Sequence, residues 1–157
     1  MSLKESGVPE YFYSGKFNVI DREAADTPEK LTKAYRDALS ADYYFMGSNA
    51  VTMDGKLLNI DGTGNRVAAL CYGPTHVVVV AGMNKVVRDE AAAMDRVKNY
   101  AAPANVIRLS KNNPCATTGK CEHCLSPTSI CTHTVVTRRS PVKGRIKVLL
   151  VGEPLGF

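Results

Sequence analysis

At 157 residues, with 45% hydrophobic and 22% charged side chains and a formal net charge of +5, the chain has a globular composition and is long enough to bury a core. No apolar run approaches the ~18 residues a membrane span needs, and the first residues lack a basic segment followed by an apolar one. No membrane attachment is therefore expected, and the cytoplasm is the expected compartment. Arg138, Arg139, Lys143, Arg145 and Lys147 form a basic run without an acid, but no aromatic side chains alternate with them to stack on bases, which disfavours a nucleic-acid partner.

Residues 1–21 carry Tyr11, Phe12, Tyr13 and Phe17, too aromatic for a solvated tail and in need of apolar cover. Thr27 reads as a helix N-cap with Pro28 at the first helical position. Leu31, Ala34, Tyr35, Ala38 and Leu39 then recur at helical spacing, which predicts a helix over 28–40. Tyr43 to Met46 is a short buried strand that opens into the loop Gly47-Ser48-Asn49. From Ala50 to Ile60 the pattern predicts two strands around the turn Asp54-Gly55. Asp61-Gly62-Thr63-Gly64-Asn65-Arg66 follows, in which two glycines would let backbone approach an anion at the start of a helix over 66–70. Cys71 in that helix reads as a small core residue. The β-branched run His76 to Ala81 predicts a central parallel strand covered on both faces, with Asn84 and Lys85 beyond its carboxyl end, where open α/β sheets bind ligands. Asp89 starts a helix over 89–100 with Ala91, Met94, Val97 and Ala101 on one face, and Pro103 begins a further helical turn. Strands over 133–137 and 145–151 complete an α/β chain with a mostly parallel sheet.

Between the helices and the last two strands lies a cysteine-rich insertion at 113–132. Cys115, Cys121, Cys124 and Cys131 follow C-x5-C-x2-C-x6-C, whose two-residue gap lets neighbouring thiolates converge on one ion. Thiolate-rich sites suit both zinc and an iron-sulfur cluster, and His123 or His133 could replace one cysteine. A loop with so little apolar content needs such a centre to order it.

The polar groups nearest the glycine loop define a candidate site for a small carboxylate or phosphate: Ser48, Asn49, Gly62, Gly64, Asn65, Arg66, Asn84 and Lys85. Arg66 would hold a carboxylate bidentately, so removing it is expected to weaken binding while leaving the fold intact. Glu153, in the glycine-rich tail, and Asp61 are the candidate catalytic acids. A helix-capping carboxylate and a turn-forming aspartate are their plainer readings.

Taken together, Gly47-Ser48-Asn49-Ala50, Asp61 to Ala68, Gly82-Met83-Asn84-Lys85 and Val151 to Gly156 resemble the lactate-utilisation (LUD) domain family over nearly the whole chain, 1–157. Thr118-Gly119-Lys120-Cys121 and Ser126-Pro127 resemble its clostridial-type members. The resemblance implies a Rossmann-like fold similar to the NagB/RpiA/CoA-transferase group. It also implies a role in oxidising lactate to pyruvate beside iron-sulfur partner proteins. In CoA-transferases of similar fold a glutamate is the nucleophile, which gives Glu153 a counterpart. Family members carry a first helix and strand before the point matching Met1, so the chain resembles an N-terminally shortened version, and an exposed sheet edge would favour a homo-oligomer. Two alternatives stand beside this reading: a metal-stabilised regulatory or interaction module without catalysis, and a CoA-transferase or isomerase-like enzyme.

Overall fold

The structure, a computed structural model, describes residues 2–157. The chain starts with two short helices, α1 (Ser2–Glu5) and α2 (Val8–Phe12), and a 3-10 turn at Arg22–Ala24. Helix α3 (Pro28–Asp37) begins where Thr27 Oγ1 accepts the Lys30 N–H at 3.2 Å, and a 3-10 turn over Ala38–Ser40 completes the predicted span. Strand β1 (Tyr43–Met46) is followed by β2 (Ala50–Thr52) and β3 (Leu57–Asp61), an antiparallel pair around the Asp54-Gly55 turn, with Gly55 at a φ of 86°. Then come α4 (Asn65–Cys71), β4 (His76–Gly82), a 3-10 turn at Met83–Lys85 and the short β5 (Val86–Val87).

Asp89 caps α5 (Glu90–Arg96) by accepting the Ala92 N–H at 2.9 Å. A π turn at Val97–Ala101 joins it to α6 (Ala102–Arg108), so Pro103 lies within a continuous helical run and does not open a separate one. Ala91 is exposed and Ala93 takes its place on the buried face with Val97 and Ala101. The two-residue difference follows from the stripe itself, which steps by four from Ala93 to Val97 to Ala101. Helix α7 (Pro114–Thr118), β6 (His133–Thr137) and β7 (Ile146–Val151) follow.

The strands form two sheets where the sequence predicted one. The first is wholly parallel in the order β1-β4-β7, and the second is mixed in the order β5-β2-β3-β6. Strand β4 lies at the centre of the parallel sheet, which accounts for its unbroken β-branched run. Val77, Val79 and Ala81 face a core shared with Met46, Val51, Leu57 and Leu70. Val78 and Val80 face the other way and are covered by Leu155 and Leu3. The aromatic N-terminal segment finds part of its cover here, since the Phe12 and Phe45 rings lie 4.5 Å apart. Cys71 departs from expectation: it is exposed, because Val67, Ala69 and Leu70 already fill the buried face of α4.

Arg145, from the basic run, is a structural residue. Its guanidinium donates to the carbonyls of Ala69 (2.9 Å), Leu70 (2.7 Å) and Pro74 (3.0 Å), so a cation closes the carboxyl end of α4 where free carbonyls concentrate negative charge. Arg145→Ala is expected to lower stability in urea by about 2–4 kcal/mol, and Arg145→Lys to recover little of it, because a point charge cannot reach three carbonyls in a fork.

Candidate functional site

The predicted ligand residues separate into three groups in space, and most already have partners. Ser48 is buried and donates to the carbonyls of Ala50 (2.9 Å) and Leu58 (3.4 Å). Asn49 clamps the same loop to β3: its N–H donates to Asn59 Oδ1, and its own Oδ1 accepts the Ile60 N–H at 3.0 Å. Arg66 completes this lattice. It donates to the Gly47 carbonyl (3.1 Å), Asn59 Oδ1 (2.6 Å), Asn49 Oδ1 (3.0 Å) and the Ile60 carbonyl (2.8 Å), and its Nε pairs with Asp61 at 3.3 Å. Every guanidinium nitrogen is engaged. Burial lowers its basicity and the Asp61 charge opposes that shift.

The glycine loop is occupied in the same sense. Asp61 Oδ1 accepts the Gly64 N–H at 3.3 Å, so the anion at the start of α4 is the chain's own carboxylate. A Cβ on Gly62 would meet the Ile130 backbone at 3.3 Å, and one on Gly64 would meet His133 Nε2 at 3.0 Å. These glycines therefore admit the cysteine-rich segment. Beside them an open groove of about 570 Å³ is lined by Thr32, Tyr35, Arg36, Gly64, Asn65 and His133, among others.

The third group sits at the carboxyl ends of the parallel strands. Asn84 holds the tail, donating to the Gly156 carbonyl (2.9 Å) and accepting the Leu155 N–H (3.1 Å). Gly82 is required there, because a Cβ would lie 2.3 Å from Leu155 N. Glu153 is exposed on this tail. Lys85 differs from Arg66 in the kind of partner it has. Its side chain lies in a residue only 4% exposed, and its Nζ donates to a neutral hydroxyl, Ser2 Oγ, at 2.7 Å. No carboxylate among the described residues lies within ion-pair distance of it. Burial brings its amine down to about 8, the charges of Arg96 and Arg66 add to this, and Glu5 opposes it. Ser2, Glu5 and Arg96 were not visible as site residues in the sequence: Ser2 is 83 positions from Lys85, and no local pattern connects them.

The four clustered cysteines share one region. Cys115 is buried in α7, and burial, then the neighbouring Cys124, raises its thiol above the ordinary range. Burial first, then Cys121, Cys115 and Cys124, pushes Cys131 up to about 11. In the two-residue gap His123 adopts a φ of 50° and its N–H donates to Cys121 Sγ at 3.4 Å. Among the described residues no group of three or more His, Cys, Asp or Glu side chains is placed to hold a metal ion. His133 stands at Gly64 on the groove side.

The family model described as LUD domain matches residues 1–151. The chain belongs to the LUD domain family. This connects it, in general terms, with lactate utilisation, and the α/β architecture with a parallel sheet agrees with the Rossmann-like fold the resemblance implied. No curated protein and no solved structure matches the chain significantly. Among the described residues of this LUD domain, no helix is long and apolar enough to cross a membrane.

Two outcomes are expected from this geometry. Arg66→Ala should cost about 3–5 kcal/mol of stability in urea, since it strands Asp61, Asn59 and two carbonyls, so its effect is on folding before any effect on binding. For Lys85, the unfolded chain holds a proton between about pH 8 and the ordinary lysine value of 10.5 that the folded chain has released. Folding is therefore favoured as pH rises through that window, and below it the full cost of the buried charge applies. Urea midpoints of the wild type relative to Lys85→Met should rise across the window.

Proposed function

We propose that this LUD domain serves the oxidation of lactate to pyruvate by holding a small carboxylate at Lys85, at the carboxyl end of β4. The observation that carries the reading is a buried amine without a carboxylate partner, at the position in a parallel sheet where α/β folds bind ligands. A carboxylate there would supply the missing negative charge and take a charge-assisted hydrogen bond. Arg96 supports the choice of an anion: it reaches the carbonyls of Asn84 (3.1 Å) and Asn49 (2.7 Å) and adds positive potential behind Lys85.

The cysteine-rich segment, on the same proposal, holds a metal centre through Cys115, Cys121, Cys124 and Cys131. An all-thiolate donor set fits zinc or an iron-sulfur cluster, and the His123 N–H on Cys121 Sγ is the kind of contact that eases negative charge on a ligating sulfur. Zinc would order the loop, and a cluster would in addition carry electrons to iron-sulfur partners. Self-association fits the apolar outer edge of β7, where Leu149 is 52% and Leu150 51% exposed.

Calorimetric titration with lactate, pyruvate and inorganic phosphate tests the ligand site. Lys85→Met should reduce carboxylate affinity by about 10-fold or more, the loss of one charged hydrogen bond. Equal affinity in both proteins would remove Lys85 from the site. Elemental analysis and a visible spectrum of protein prepared without oxygen test the centre: about one zinc without a visible band, or about four irons with broad absorbance, is expected, and either should disappear in Cys121→Ser. Protein lacking both, with four freely reacting thiols, would refute it.

A further inference from the structure

Strand β7 has the composition of a central strand and the position of an edge strand. It reads Ile146-Lys147-Val148-Leu149-Leu150-Val151, and an apolar run of this kind belongs where both faces of a sheet are covered. In the order β1-β4-β7, however, one side of β7 has no neighbouring strand among the described residues. The register places Val148 and Leu150 beside Val79 and Ala81 on one face, and Leu149 beside Val80 on the other. Val148 is 38% exposed, Leu149 52% and Leu150 51%, so apolar surface is bare on both faces at the same edge. The backbone there is open as well. The Arg145 carbonyl accepts the Val77 N–H at 2.8 Å, and strand alternation then turns the N–H and C=O groups of Ile146, Val148 and Leu150 away from β4.

We propose that this edge is closed by the same edge of a second copy, β7 antiparallel to β7 about a two-fold axis at Leu149. This rests on the self-association reading given above and adds the register and the residue on the axis. Antiparallel strands pair only where outward-facing residues meet outward-facing residues, so the axis passes through a residue and not between two. An axis at Lys147 would set like charges directly opposite each other, and one at Val148 would leave them only two residues apart. An axis at Leu150 would carry the pairing past Val151, where the strand ends. With the axis at Leu149, Lys147 lies opposite Val151 of the second copy. The two ammonium groups are then four residues apart, about 14 Å along the strands and beyond the ~8 Å screening length at physiological salt. In this register Val148 exchanges both backbone bonds with Leu150 of the second copy, and Leu149 meets its own counterpart. The ends agree in charge: the Glu153 end of one β7 is brought to the start of the other, where Lys143 lies in the basic run, and both side chains are exposed. The edge is thus complementary to itself in backbone, apolar surface and charge, which is what an isologous interface requires.

The test uses the full chain in light scattering coupled to gel filtration, over a range of concentrations, where the wild type is expected to be a dimer. Leu149→Lys and Leu149→Glu each set like charges against each other on the axis, so each should weaken dimerisation about 30-fold or more. Their thermal unfolding should resemble that of a wild-type monomer, since Leu149 is half exposed. Because Leu149 faces its own counterpart, an equimolar mixture of the two variants should recover the dimer through a Lys–Glu pair. A monomeric wild type overturns both this inference and the self-association reading. A dimer that Leu149→Lys leaves intact overturns this inference alone, because the chain then associates through another surface. Folded variants that stay monomeric when mixed overturn it too, because Leu149 then does not stand on the axis.

Discussion

A buried guanidinium is tolerated only when its nitrogens find acceptors, and Arg66 finds them on several separate segments. Gly47 lies just beyond β1 of the parallel sheet, Asn59, Ile60 and Asp61 lie on β3 of the mixed sheet, and Asn49 belongs to the loop between β1 and β2. One side chain therefore fixes the two sheets against each other and sets the path of the loop that leaves β1. Cores such as the one around Met46, Val77 and Leu70 supply the drive to pack, but apolar contacts are not directional. The register between the sheets needs hydrogen bonds that exist in one geometry only.

That fixed frame makes the crevice beyond β4 informative. A buried cation answered by a neutral hydroxyl stands apart from Arg66, whose partners include a carboxylate. Both ends of the described chain meet there: α1 brings Ser2 and Glu5, and the tail brings the Leu155 and Gly156 backbone.

The glycine loop and the cysteine-rich segment are parts of one assembly. Thr132 donates its N–H to the Asp61 carbonyl at 3.0 Å, Ile130 packs on Gly62, and His133 lies on Gly64. The loop that resembles an anion cradle is thus the seat on which the last stretch before β6 rests. Whatever orders the thiols will also steady the start of α4 and the groove beside it, because the same backbone contacts carry both.

Local chemistry was legible in the sequence where neighbours decide the outcome. Thr27 with Pro28 determined the start of α3, Asp89 the start of α5, Asp54-Gly55 the turn between β2 and β3, and the valine run of β4 its central, doubly covered place. The sequence also marked Arg66, Asn49, Ser48, Asn84 and Lys85 as polar groups of consequence, and the family motifs they belong to. Which of them are already paired within the fold, and which is answered only by a neutral hydroxyl, was decided by tertiary structure alone. A hydrogen-bonding group has a fixed number of donors and acceptors, and whether those are already used depends on what the chain brings within about 3 Å of it. For Arg66 the answer came from Gly47 and Asn59, and for Lys85 it came from Ser2, 83 residues away, a distance over which side-chain periodicity carries no information.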